Sequence, residues 1–219
     1  DGFLKKTTVF SKGDFSGSFL QIGVAELTMA SIANGMALHG GIIPVCGTFF
    51  VFSDYMKPAV RLAALMQLPV VYVWTHDAFR VGEDGPTHQP VEQEAQIRLM
   101  EKLKNHHGQN SVLVLRPADA EETTVAWQMA IESTHTPTAL ILSRQNIVNL
   151  PGNNYEMSQQ VKKGAYIVTK DEGKIDVVLI GNGSEVSTLI EGAKILREKK
   201  GLKIQIVSVP SEGVFRNQP

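Results

Sequence analysis

Short apolar runs rich in β-branched residues recur along this sequence, separated by segments of helix-forming composition. Phe19–Ile22, Ile42–Cys46, Pro69–Trp74, Ser111–Leu115 and Thr138–Leu142 have the length and make-up of buried strands. Val24–Leu38, Phe49–Met66 and Val91–Lys104 read as helices, and a fourth runs from an Asp119 N-cap to Ser133. Thr48 offers an N-cap for the second of these, and Pro58 predicts a kink or a fresh start within it. Strand–helix alternation of this kind requires crossovers, and crossovers make neighbouring strands parallel. The expectation is an α/β fold with a doubly wound, mostly parallel sheet over residues 1–146. Residues 147–163, with Asn149, Pro151, Gly152, Asn153 and Asn154, read as a linker. Ala165–Thr169, Asp176–Ile180, a helix from Ser184 to Lys199 and Lys203–Val209 then predict a partial second α/β domain over 164–219.

Composition sets bounds on partners. A formal net charge of -1 gives no bulk attraction to nucleic acid or to an anionic membrane. Glu26, Asn34, His39 and Gln67 interrupt the apolar stretches, so none reads as a membrane span. The single cysteine, Cys46, excludes an internal disulfide and fits a reducing, cytoplasmic setting. No signal-peptide pattern opens the chain; it lacks an initiator Met and stops soon after a strand, which suggests an excised fragment.

Ionisable groups gather in one place. Thr75–Glu92 (THDAFRVGEDGPTHQPVE) follows the Pro69–Trp74 strand, and Gly82, Gly85, Pro86 and Pro90 keep it irregular. It carries His76, Asp77, Glu83, Asp84 and His88 at the carboxyl end of a sheet strand, where α/β proteins place ligands. A solvated acidic turn, or a cation site built from Glu83 and Asp84, fits the composition equally well. Glu26 is the one ionisable side chain in a helix whose apolar residues lie nearly all round, which predicts a buried helix. It serves either as a first-turn acid favouring the helix dipole or as a functional carboxyl. Phe49, Phe52 and Tyr55 recur at i, i+3, i+6 on one helical face, a pattern that a core also produces. His106 and His107 are neighbours in a polar turn and do not converge as metal ligands. Gly181-Asn182-Gly183 before a helix lacks the third glycine of a dinucleotide loop, because Val186 stands there.

Four motifs, in order, resemble the transketolase family of thiamine-diphosphate enzymes. GVAELTM at Gly23–Met29 resembles its glutamate helix, and GTFFVFSDY at Gly47–Tyr55 its pyrimidine pocket. THD at Thr75–Asp77 with GEDGPTHQPVE at Gly82–Glu92 resembles its substrate loop, and LSRQN at Leu142–Asn146 its phosphate-gripping arginine motif. The resemblance covers the pyrimidine-binding domain and the opening of the C-terminal domain. It implies transfer of a two-carbon ketol unit from a ketose phosphate to an aldose phosphate, in the pentose phosphate pathway.

The same resemblance implies roles. Glu26 would share a proton with N1′ of the cofactor pyrimidine, its pKa raised by burial, with Phe49, Phe52 and Tyr55 as the wall under that ring. His76 and His88 would hydrogen-bond substrate oxygens, Asp84 a hydroxyl, and Arg144 the sugar phosphate. The magnesium or calcium and diphosphate ligands, a GDG…N motif in the family, are absent from this sequence and would lie on an N-terminal domain. A homodimer would complete the site, and the fragment alone would be inert. Ala25 and Leu27 flank the glutamate where the family usually has Arg and His. Ala78, Phe79 and Arg80 replace Ser, Ile and Gly, and Lys102–Gln109 reads as a surface insertion. Two other readings stand beside this one: a related transferase such as a deoxyxylulose-phosphate or dihydroxyacetone synthase, and a non-catalytic transketolase-like protein kept for assembly or regulation. His76 and Gln89-Pro90 favour transketolase over the synthase.

Overall fold

The computed structural model describes residues 7–77 and 81–218. Ala78, Phe79 and Arg80 therefore lie outside the described residues. Four strands, β1 (Val45–Phe49), β2 (Val71–Thr75), β3 (Leu113–Leu115) and β4 (Thr138–Ile141), form one sheet in the order β1-β2-β4-β3. Every pairing in it is parallel. Alternate residues face opposite layers. Tyr72 and Trp74 of β2 and Ala139 and Ile141 of β4 pack with α1 (Glu26–His39), α2 (Ser53–Leu65) and α3 (Gln93–Glu101). Val71, Leu115 and Leu140 pack on the other side with Ala126 and Ala130 of α4 (Ala120–Glu132). Burial on both faces is why these strands are continuous apolar runs rather than alternating ones.

A second sheet holds β5 (Tyr166–Lys170), β6 (Val177–Gly181) and β7 (Ile204–Ser208) in the order β5-β7-β6. β6 and β7 are parallel and joined through α6 (Glu185–Lys200), while β5 runs antiparallel to β7. Between the sheets, the stretch expected as a linker holds α5 (Tyr155–Ser158) and a 3-10 turn, Gln159–Lys163. Leu150 and Val161 are buried in the second core, so this polar-looking segment packs through two apolar anchors. A last short helix, α7, spans Glu212–Arg216.

Local expectations fare unevenly. Asp119 caps α4 as its position suggests, its Oδ1 accepting from Glu122 N at 2.8 Å. Phe19–Ile22 forms no strand: Phe19 makes a single bridge to Val9 and has no ladder beyond it. Thr48 is not an N-cap. It lies within β1 opposite Trp74, the chain passes through a 3-10 turn at Phe50–Phe52, and α2 begins at Ser53. Pro58 sits inside α2 without dividing it. The expected burial of α1 holds for one stripe only. Ala30, Ala33 and Asn34 are buried, whereas Leu27 and Leu38 are 48% and 61% exposed, because the described residues cover one side of the helix. Among the described residues no helix is long and apolar enough to cross a membrane.

Candidate functional site

The carboxyl ends of β1 and β2 carry the cluster. Phe49 closes β1 opposite Thr75, the last residue of β2, and His76 follows directly. The Phe49 and His76 rings stack with centroids 3.6 Å apart. Phe52 stacks on Phe49 at 6.0 Å, and Tyr55 on Phe52 at 6.2 Å. The three aromatics thus form one row, although a strand end, a 3-10 turn and a helix start supply them rather than a single helix. Tyr55 is 62% exposed, so the row is not core. His88, ending a 3-10 turn at Pro86–His88, presents its ring edge-on to Phe52 at 5.2 Å.

His76 adopts φ 62°, a left-handed backbone that few residues other than glycine take. This turn carries its side chain back over Phe49 instead of onward from β2. Packing drives the imidazole below its ordinary range: burial disfavours the cation, Arg144 and His88 add repulsion, and Asp84 and Asp77 oppose them. Its Nδ1 lies 2.9 Å from the Thr75 hydroxyl, and the His88 Nδ1 lies 2.8 Å from that of Thr87. When each hydroxyl donates to the neighbouring Nδ1, Nε2 of that ring carries the N–H and can donate.

Arg144 approaches Asp84 with Nε to Oδ2 at 4.0 Å, their side chains 47% and 35% exposed. That separation is an ion pair without a tight hydrogen bond, so both groups keep capacity for another partner. Gly82, at φ 90°, lets the loop pass close to this arginine: a Cβ there would lie 3.0 Å from Arg144 Nη1.

Glu26 opens α1 and is half-buried, with no hydrogen bond or ion pair to another described residue. Residues 40–44 join α1 to β1 directly, so the helix runs antiparallel to that strand. Met29 contacts Cys46 through its carbonyl, 3.9 Å from Sγ. One turn back along α1, Glu26 therefore stands towards the end of β1 where Phe49 lies. The structure brings His76, Asp84, His88 and Arg144 together beside the Phe49–Phe52–Tyr55 row, and sets Glu26 at the same edge of the sheet. What the sequence reading missed is Arg116. It sits just past β3, and its signal was the one that marked the loop, a charge at a strand's carboxyl end.

A concavity of about 730 Å³ lies elsewhere, between α2 and the 102–111 turn, lined by Lys57, Arg61, Leu65, Met100 and Leu103 among others. The expected insertion, Lys102–Gln109, does lie on the surface beside this concavity.

Residues 4–149 match the model of the transketolase pyrimidine-binding domain. The chain belongs to the transketolase family. Residues 164–219 match the transketolase-like C-terminal domain. The transketolase of Halalkalibacterium halodurans is 48% identical over 215 residues, which is 98% of this chain and 31% of that protein. The structure of transketolase from Leishmania mexicana superposes with a TM-score of 0.86 at 42% identity, over 97% of this chain and 30% of the other. A structure described as a split-gene transketolase, an inactive β4 tetramer, gives a TM-score of 0.65 at 25% identity over 88% of this chain and 56% of its own. The chain thus spans about 30% of the length of its full-length relatives.

Proposed function

We propose that this chain is the pyrimidine-binding part, with the start of the C-terminal domain, of a protein with transketolase activity that moves a two-carbon ketol unit between sugar phosphates. The convergence of two imidazoles, a carboxylate and a loosely paired guanidinium beside a partly exposed aromatic row carries the reading. The domain division at 146 and 164 belongs to this proposal, as do the homodimer and a cytoplasmic place in the pentose phosphate pathway. Half-bare α1, with Leu27 and Leu38 exposed, suits a partner subunit lying over it.

The residues present fit the thiamine diphosphate pyrimidine. A partly exposed row of three rings suits a flat heterocycle, and Glu26 is a carboxyl with no partner among the described residues. When bound, that cofactor supplies the carbon nucleophile of the transfer. Glu26 holds the proton at the pyrimidine N1′, and Phe49, Phe52 and Tyr55 fix the plane of the ring. His76 and His88 donate from Nε2 to sugar oxygens, and Asp84 accepts from a hydroxyl. Arg144 grips the terminal phosphate with its planar fork. Magnesium or calcium, with the diphosphate, belongs to the part of the protein outside this chain.

Turnover by the full-length protein, with ribose 5-phosphate as acceptor, tests the reading. Turnover of pyruvate with glyceraldehyde 3-phosphate instead identifies a deoxyxylulose-phosphate synthase. Full activity of Glu26→Gln refutes the proton-sharing role. The isolated chain is inert on this reading, in keeping with the inactive split-gene neighbour. Calorimetry showing sub-micromolar thiamine diphosphate affinity for it, with magnesium, refutes that.

A further inference from the structure

Beside the loop histidine lies an ion cluster that spans both sheets, with the buried pair Asp77 and Arg116 at its centre. Asp77 follows His76, and its Oδ2 accepts from Arg116 Nε at 3.1 Å and lies 2.9 Å from Nη2. Arg116 Nη1 meets Glu94 Oε2 at 3.2 Å and Asn182 Oδ1 at 2.5 Å, and Nη2 meets Glu185 Oε2 at 2.6 Å. Asn182 also donates to Glu94 Oε1 at 3.0 Å. Asp77 and Glu94 come from the first sheet's layers, whereas Asn182 and Glu185 flank the turn that opens α6 in the second. The Arg116 backbone is held from the same side, its N–H donating to Pro210 O at 2.8 Å and its carbonyl accepting from Gly183 N at 3.0 Å. Gly183 has φ 54°, and a Cβ there would lie 2.7 Å from Arg116 Nε. Gly181-Asn182-Gly183, set aside as a dinucleotide loop, is a turn closed over a guanidinium.

We propose that Arg116 is a positioning residue: it ties Asp77 to the second sheet's domain and so holds His76 folded back over Phe49. The proposal rests on the reading of His76 as a sugar-contacting group. Thr75 is pinned in the β2 ladder opposite Phe49, and Asp77 is pinned by Arg116, so His76 alone absorbs the left-handed turn between them. Asp77 is 5% exposed and Arg116 4%, which leaves this anchor no competing water. Once Asp77 is released, the His76 backbone is free to relax towards the extended region that L-residues prefer, and its ring leaves Phe49.

In the full-length protein, Arg116→Lys keeps a cation but loses the fork that spans four acceptors. The kcat/KM for a ketose phosphate should fall about 100-fold, the loss that a displacement of about 1 Å produces, with thiamine diphosphate affinity unchanged. In a His76→Ala background the same change should cost less than about twofold, because the group it positions is gone. Equal losses in both backgrounds overturn the proposal. An independent readout is the NMR titration of the His76 imidazole, which sits among Asp84, Arg144, His88 and Asp77. Its pKa should rise towards the ordinary value in Arg116→Lys as the ring leaves its packing; an unchanged titration also overturns the proposal. Gly183→Ala pushes on the same guanidinium from the other domain and should show the same non-additivity with a smaller loss, should Arg116→Lys fold poorly. If His76→Ala leaves turnover intact, the site reading fails, while the titration still decides whether Arg116 positions the ring.

Discussion

His76 and Asp77 are neighbours in the chain and belong to opposite kinds of polar environment. On the His76 side, Arg144 and Asp84 stand 4.0 Å apart and are 47% and 35% exposed. On the Asp77 side, Arg116 makes contacts of 2.5 to 3.2 Å with four acceptors and is almost sealed from solvent. Loose, wet pairs contribute little to stability and can exchange partners with a ligand; sealed ones are costly to disturb and fix geometry. One peptide bond separates the loose, exposed side from the sealed one.

The comparison breaks most visibly through stability. Arg116→Met should cost about 3–5 kcal/mol, since it strands the buried Asp77 without its cation and takes a partner from Glu94 and Glu185. Denaturant unfolding with an unchanged m-value measures it. Arg144→Met should cost at most about 0.5 kcal/mol in the same experiment, and equal losses for the two would erase the distinction. In full-length kinetics the order reverses in kind: Arg144→Met should raise KM for a sugar phosphate about 10- to 100-fold, the worth of a charge-assisted contact, while folding normally.

Acid gives a finer test. Burial works against ionisation of Glu94, but the Arg116 and Arg98 guanidinia outweigh it and hold the carboxyl below its ordinary 4.5. A depressed carboxyl contributes stability that is present above its unfolded pKa and lost as pH falls through the folded one. Glu94→Gln should therefore lower stability at pH 7 and flatten the acid limb below about pH 4.5; an unchanged limb rules this out. The smallest effect belongs to His76. Its lowered pKa keeps the ring neutral below 6.5, so its stability contribution is complete above 6.5 and fades as pH falls towards the folded value. An NMR midpoint at or above 6.5 contradicts the packing described.

Much of this was legible in the sequence, and the exceptions share a cause. β2, β4 and the Asp119 cap announce themselves because burial on both faces and capping are local demands. Thr48 misled because β1 pairs it with Trp74, and a ladder partner far along the chain outweighs a good cap residue. Phe49, Phe52 and Tyr55 were found for a helical spacing they do not have; the 3-10 turn delivers the same row by another route. α1 looked buried because its sequence is apolar all round, yet the described residues cover only its Ala30–Asn34 stripe. Arg116 stayed hidden since its partners, Asp77, Glu94, and the Asn182–Glu185 pair, come from three separated segments. No window along the chain contains the cluster.

The Asp119 carboxylate has a further consequence. While Oδ1 caps α4, Oδ2 accepts from Leu150 N at 3.0 Å and from Asn153 Nδ2 at 2.6 Å. Asn153 Oδ1 in turn accepts from Ser158 Oγ at 2.8 Å, and Asn154 caps α5 by accepting from Met157 N at 2.9 Å. The segment richest in asparagine, proline and glycine is thus stitched down at successive points. A protease, which must draw out an extended stretch of chain to cut, finds the most hydrophilic junction of the molecule among its guarded ones.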